Sequence, residues 1–148
     1  MNLLFTSLYA GSRGGGIPPV MRALAEAWKQ RGPRVRIQTL DRDPVDDLES
    51  FGGFPPVVRI PECRPRMGFG RGWGKALRQT DPDLVHAHGL WCGLSRQTAR
   101  TCQSMEIPWI VSPHGMLAPG ALGISRWKKN ISYPLLESGH LTGARTLH

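Results

Sequence analysis

Two apolar runs in this chain end in the same way. They are Asp83-Leu84-Val85-His86-Ala87-His88-Gly89-Leu90-Trp91 and Ile107-Pro108-Trp109-Ile110-Val111-Ser112-Pro113-His114-Gly115-Met116. A short, fully apolar strand that stops at a histidine and a glycine fits the buried strand of an open α/β sheet, which binds its ligands outside the carboxyl ends of the strands. Two strands therefore aim imidazoles at one crevice.

The rest of the chain supplies the elements such a sheet needs. Asn2 to Leu8 is an apolar run of strand-forming residues, Gly11 to Gly16 a glycine-rich turn, and Pro18 to about Gln30 a helix. Ile17, Val20, Met21, Leu24, Ala27 and Trp28 recur at helical spacing as its apolar face, and Gly32 is placed to stop it. Val35 to Leu40 alternates like a second strand, and Val57 to Ile60 reads as a short third one closed by Pro61. Between them Asp41 to Pro56 reads as loop, and Pro65 to Gly74, rich in Gly and Arg, precedes a helix over Trp73 to Gln79. Further on come a strand at Leu84 to His88, a helix near Leu94 to Met105 and a strand at Trp109 to Ser112. A loop through Pro119 to Gly123 and one or two short helices in Trp127 to Leu141, broken at Pro134, lead to a strand starting within Arg145 to His148. Strands alternating with helices predict a Rossmann-like, doubly wound parallel sheet with helices on both faces and right-handed crossovers.

At 148 residues there is room for one core and no second full domain. Nineteen Lys and Arg against 11 Asp and Glu leave a net charge of +8, which attracts phosphates, anionic lipid or nucleic acid. The basic residues are scattered, without the dense block of a nucleic-acid arm, so nucleic acid is not an expected partner. Cys63, Cys92 and Cys102 are odd in number and form no Cys-x-x-Cys pair, which indicates neither a disulfide framework nor a zinc site and makes a reducing cytosol the default. Met1 to Leu8 has no basic leader, and no run approaches the ~20 apolar residues of a spanning helix. The expectation is a cytoplasmic protein, soluble or peripheral at the inner face of a membrane.

Gly14-Gly15-Gly16 sits where bare backbone approaches a phosphate or sugar, although a tight turn explains a glycine cluster equally well. Pro18 and Pro19 remove two N–H donors there. His86 and His88 share one face of a strand, with His88, beside Gly89, the candidate for substrate contact and His86 the interior residue. His114, on a turn before Gly115, suits hydrogen bonding or proton exchange with a sugar hydroxyl. A metal held by His86, His88 and His114 is the competing reading, weakened by the lack of a carboxylate or cysteine at ligand spacing. Trp91 fits either a sugar-stacking indole or a half-buried core residue. Arg126, Lys128 and Lys129 fit a solvated basic face or a contact with an anionic substrate or lipid.

In combination, Gly14-Gly15-Gly16, the helix to Gly32, Pro82 to Trp91, Ile107 to Met116, Leu117 to Leu122, Trp127-Lys128-Lys129 and Ala144 to His148 resemble the amino-terminal domain of family 4 retaining glycosyltransferases. The resemblance covers most of the chain outside Asp41 to Arg78. It implies the GT-B architecture, two Rossmann-like domains facing across a cleft, with the acceptor mainly on the first and the sugar nucleotide mainly on the second. Residues 1–148 would supply the first domain, and the donor domain with its Glu-x7-Glu motif has no counterpart here. By resemblance His114 is the active-site histidine, Gly15 and Gly16 approach the donor phosphates and the reacting sugar, and His88, Trp91, Gly115 and Met116 lie about the substrates.

The expected function is the acceptor-side portion of an enzyme that moves a hexose from a sugar nucleotide to a glycan or lipid-linked acceptor in cell-envelope polysaccharide synthesis. No cofactor or metal is expected, and these residues alone should be inactive. Two alternatives stay open. One is a non-catalytic module or remnant, or half of a split enzyme working with a separate donor domain. The other is an unrelated Rossmann-like nucleotide binder, for which Asp41 sits where a ribose-binding acid belongs.

Overall fold

Strand β1 (Asn2–Ser7) is buried from Leu3 onward and runs down the middle of a six-stranded sheet. Its neighbours are β2 (Arg34–Leu40) on one side and β6 (Leu84–His88) on the other, followed outward by β3 (Val57–Ile60) and by β7 (Trp109–Ser112) and β8 (Thr146–Leu147). All five pairings are parallel. The order β3-β2-β1-β6-β7-β8 is that of a doubly wound Rossmann sheet, with the switch point between β1 and β6. The computed structural model describes residues 1–43, 55–64 and 66–148, so most of the loop expected over Asp41 to Pro56 lies outside the described residues.

The pleat of β1 divides the core. Leu3 and Phe5 pack with Val35 and Ile37 under helix α1 (Ile17–Lys29) through Met21 and Ala25. Leu4 faces the other way, with Val85 and Val111, against α2 (Trp73–Thr80) and α3 (Gly93–Met105) through Leu77, Ala99 and Cys102. Helices thus cover both faces, as the alternating pattern predicts. The inward stripe of α1 differs from its expected residues: Pro18 and Ala25 are buried, whereas Val20 is 40% exposed. Ile17, Met21, Leu24, Ala25 and Trp28 follow the i, i+4, i+7, i+8, i+11 rows of one face, and Val20 lies beside it.

Three local expectations are corrected. The Gly- and Arg-rich segment before α2 contributes a short strand, β5 (Phe69–Gly70), which pairs antiparallel with β4 (Glu62–Arg64) just ahead of that segment. The side-chain amide of Gln97 on α3 clamps Gly70, donating to its carbonyl at 2.9 Å and accepting its N–H at 3.0 Å. Pro119–Gly123, expected as loop, is a helical turn, α4, with proline in its first turn, where a missing N–H costs nothing. Pro134 does not break the chain's last helical stretch. Helix α5 (Arg126–Ser132) continues through a π-helical turn, Tyr133–Glu137, into α6 (Ser138–Thr142), the wider turn accommodating the proline ring.

Candidate functional site

The carboxyl ends of β1, β6, β7 and β8 bring four imidazoles together. His86 and His88 lie on one face of β6, as period two requires, and both rings meet Phe5 of β1 edge-on with centroids 5.4 and 5.2 Å away. The two rings are 4.2 Å apart. His88 Nδ1 lies 2.8 Å from His114 Nε2, and the two rings stack at 5.1 Å. His86 Nε2 lies 2.7 Å from Ser112 Oγ at the end of β7, and the same hydroxyl lies 3.1 Å from His148 Nδ1. A serine hydroxyl donates once and accepts twice, so Ser112 joins both rings.

Burial disfavours the protonated form of His86, His88 and His114. Burial pushes His86 down to about 4, with His148 and His114 adding to the effect. His88, deeper still, is driven further down by burial and then by its three imidazole neighbours. His114, half-buried, is lowered by the same two causes, burial first and His148 second. A set of neutral imidazoles offers both donors and acceptors to hydroxyl groups without attracting a counter-ion. Among the described residues no group of three or more His, Cys, Asp or Glu side chains is arranged to hold a metal ion.

Beside the histidines, a pocket of about 200 Å³ opens at the switch point. Its wall comes from the β1 turn (Ser7, Leu8, Tyr9, Arg13, Gly14), the first residue of α1 (Ile17), the end of β6 (His88 to Leu90), Cys92 and Met116. His88 and Met116 thus line the pocket. Met116 Sδ lies 3.1 Å from the Leu90 amide nitrogen, and its methyl is 3.5 Å from where a Cβ on Gly89 would stand.

The remaining candidates sit at the rim or apart. Gly15 has φ +60 and ψ −126, a conformation essentially reserved for glycine, and nothing lies within 4 Å of where a Cβ would be on it or on Gly16. Their bare backbone faces open space beside the start of α1, while Gly14 and Arg13 reach the pocket itself. Gly115 is likewise open, with φ +77. His114 and Trp91 are non-glycine residues in the left-handed region, at φ 49 and 64. Such strain collects at sites where surrounding structure over-determines the backbone. Trp91 is half-buried: its indole nitrogen donates to the Met116 carbonyl at 3.4 Å, and Lys129 Nζ lies 5.5 Å above its ring. Its one accounted face is occupied by Lys129.

Sequence reasoning missed the groups that brace this edge. Asp43 Oδ2 accepts the N–H groups of Ala10 and Gly11 at 2.7 and 2.9 Å, holding the β1 turn from the far end of β2. Glu137 Oε1, fully buried, accepts the Cys92 N–H at 3.1 Å and so caps α3, whose own N-cap side chain makes no capping bond to the backbone. Burial raises Glu137 to about 7. Asp41, the acid expected for a ribose, is ion-paired with Arg59. Both acids at the end of β2 are therefore engaged within the protein, which counts against the dinucleotide reading.

The comparisons agree with this geometry. Residues 15–148 match the model of the glycosyl transferase 4-like domain. No curated protein sequence matches the chain. Among solved structures, Acinetobacter baumannii MurG superposes with a TM-score of 0.63 at 12% identity over 99% of this chain and 40% of its own. Anabaena Alr3699/HepE in complex with UDP gives 0.66 at 15% identity over 99% and 37%. A Listeria monocytogenes protein described as a UDP-N-acetylglucosamine 2-epimerase gives 0.62 at 15% identity over 99% and 38%. At these identities the likeness establishes the fold alone, and the chain spans about two fifths of each neighbour's length.

Proposed function

Because the chain belongs to the glycosyl transferase 4-like domain family, we propose that it is the acceptor-side portion of a retaining hexosyltransferase. A sugar nucleotide is the donor, and a glycan or lipid-linked sugar of the cell envelope the acceptor. The observation that carries this reading is the convergence of His88 and His114 on one another at 2.8 Å beside the switch-point pocket. Two solved neighbours support the donor class, being Anabaena Alr3699/HepE complexes with UDP and glucose and with UDP-glucose.

In this reading the acceptor sugar enters the pocket between the β1 turn and the end of β6. Neutral His114 and His88 exchange hydrogen bonds with sugar hydroxyls, and His114, half exposed on its strained turn, is the group nearest the reacting centre. The open backbone of Gly15 and Gly16 leaves room for the donor's phosphates and sugar to come close. Stabilising the departing diphosphate supplies much of the catalysis in such a transfer. That task falls to a second Rossmann-like unit, so residues 1–148 alone are expected to show no appreciable transfer.

Amide chemical-shift mapping tests the placement. Titration with simple hexosides and with UDP-glucose should perturb Gly14 to Gly16, His88, Gly89 and His114 to Met116, the hexoside at lower concentration. Perturbations confined to the opposite edge of the sheet, near Arg34 and Arg36, would contradict it. A non-catalytic module is the second reading, and it shares the site but not the transfer.

A further inference from the structure

Trp91 stands in the left-handed region at φ 64, two residues before helix α3 and between two buried neighbours, Leu90 and Cys92. A tryptophan keeps that conformation only where its surroundings fix it. Both sides of this turn are fixed from far along the chain. The Leu90 N–H donates to Met116 Sδ at 3.1 Å, and the Cys92 N–H donates to Glu137 Oε1 at 3.1 Å. The ordinary device at such a helix start is a serine, threonine or aspartate in the N-cap position itself. Here the N-cap residue is Cys92, and the carboxyl group comes from 45 residues away.

Glu137 reaches that place through an irregularity in its own helix. It ends the π-helical turn Tyr133–Glu137, and the extra residue of such a turn brings both Leu136 and Glu137 inside. The turn held at Cys92 forms part of the pocket wall through Gly89, Leu90 and Cys92. It also grips the next strand end. Met116 receives the Leu90 N–H on its sulfur and the Trp91 indole N–H on its carbonyl. The Met116 N–H in turn donates to the Pro113 carbonyl at 3.0 Å, closing a turn whose central residues, His114 and Gly115, both have positive φ. Contacts therefore run unbroken from Glu137 through the Trp91 turn and Met116 to His114. We propose that Glu137 is a positioning residue of the substrate site: its carboxyl group sets the Trp91 turn and, through Leu90 and Met116, the place of His114 beside His88. The proposal rests on the reading of this sheet edge as the substrate site.

Two variants of the full chain, read by amide and methyl NMR, test it. In Glu137→Leu the amides of Leu90, Trp91 and Cys92 should exchange about tenfold faster or more, and the Met116 methyl and the His114 and Gly115 amides should shift. The dissociation constant for methyl α-glucoside should rise about fivefold. Glu137→Gln keeps the size and one acceptor oxygen, so it should show the same changes in smaller measure, and it decides alone if the leucine variant does not fold. Met116 and His114 signals unmoved in a folded variant, or exchange accelerated evenly along the whole chain, would mark a helix cap and nothing more, and would overturn the proposal. An unsubstituted chain that binds no methyl α-glucoside would overturn the substrate reading and the proposal with it. The Met116 and His114 shifts are read without ligand, so the two failures are distinguishable.

Discussion

His88 Nδ1 and His114 Nε2, from two separate strand ends, lie 2.8 Å apart with their rings stacked. Only one of the two nitrogens carries the shared proton, so whatever His114 does to a ligand reaches the tautomer of His88. In an enzyme containing this domain, His114→Ala should lower turnover by roughly 100-fold, the scale of a lost hydrogen bond to the reacting centre. Folding should suffer by about 1–3 kcal/mol, the cost of leaving buried His88 short of a partner. Steady-state kinetics and urea unfolding of the same variant separate the two effects, and an unchanged rate removes His114 from the catalytic machinery.

Acid should weaken the fold. His86 and His140 are held at about 4 by burial, and His88 is lowered further. The unfolded chain takes up these protons near pH 6.5 and the native state does not, so their contribution is lost as pH falls. Glu137 opposes them. Its folded value of about 7 lies above the ordinary 4.5, so its contribution is complete below pH 4.5 and disappears as pH rises through 7. With His114 also lowered by burial and His148, four histidines against one carboxyl leave the unfolded state binding more protons between pH 6.5 and 4.5. Unfolding free energy should therefore drop by an order of 1–3 kcal/mol from pH 7 to pH 5. His140→Phe, at a site where neither ring nitrogen has a protein partner, should make that dependence shallower. A midpoint independent of pH would contradict this account.

Asp43 should matter more to the site than its place beyond the end of β2 suggests. Asp43→Ala removes the acceptor of two buried N–H groups, Ala10 and Gly11, and should cost about 2–3 kcal/mol. Amide hydrogen exchange would show the loss confined to the β1 turn if the carboxylate acts on that turn, and spread over the sheet if it does not.

Gly93, the first residue of α3, lies against an aromatic ring. A Cβ there would stand 2.4 Å from Phe69 Cγ and Cδ2, so Gly93→Ala should destabilise by about 1–3 kcal/mol through overpacking. Adding Phe69→Leu should recover part of the loss, and a double-mutant cycle measures the coupling. Simple additivity would place the two residues apart.

The strands Leu84–His88 and Trp109–Ser112 were legible in the sequence to the residue, because fully buried parallel strands are continuous apolar runs with sharp polar ends. Period two was enough to put His86 and His88 on one face. The hairpin of β4 and β5 was not legible. Strands of two and three residues carry no periodicity, and this pair is held from outside by Gln97. Ser112 as the link between His86 and His148, and Asp43 and Glu137 as braces, depend on contacts across 26 to 45 residues of chain that no local pattern reports.

The most direct test of the acceptor-side reading is transfer of radiolabelled sugar from UDP, GDP and ADP donors. It would be run with purified residues 1–148 alone and together with a separately expressed donor domain of the same family. The account predicts transfer in the mixture, abolished by His114→Ala, and none from residues 1–148 alone. Transfer by residues 1–148 alone would contradict the need for a second unit, and silence in both would leave a binding module without catalysis.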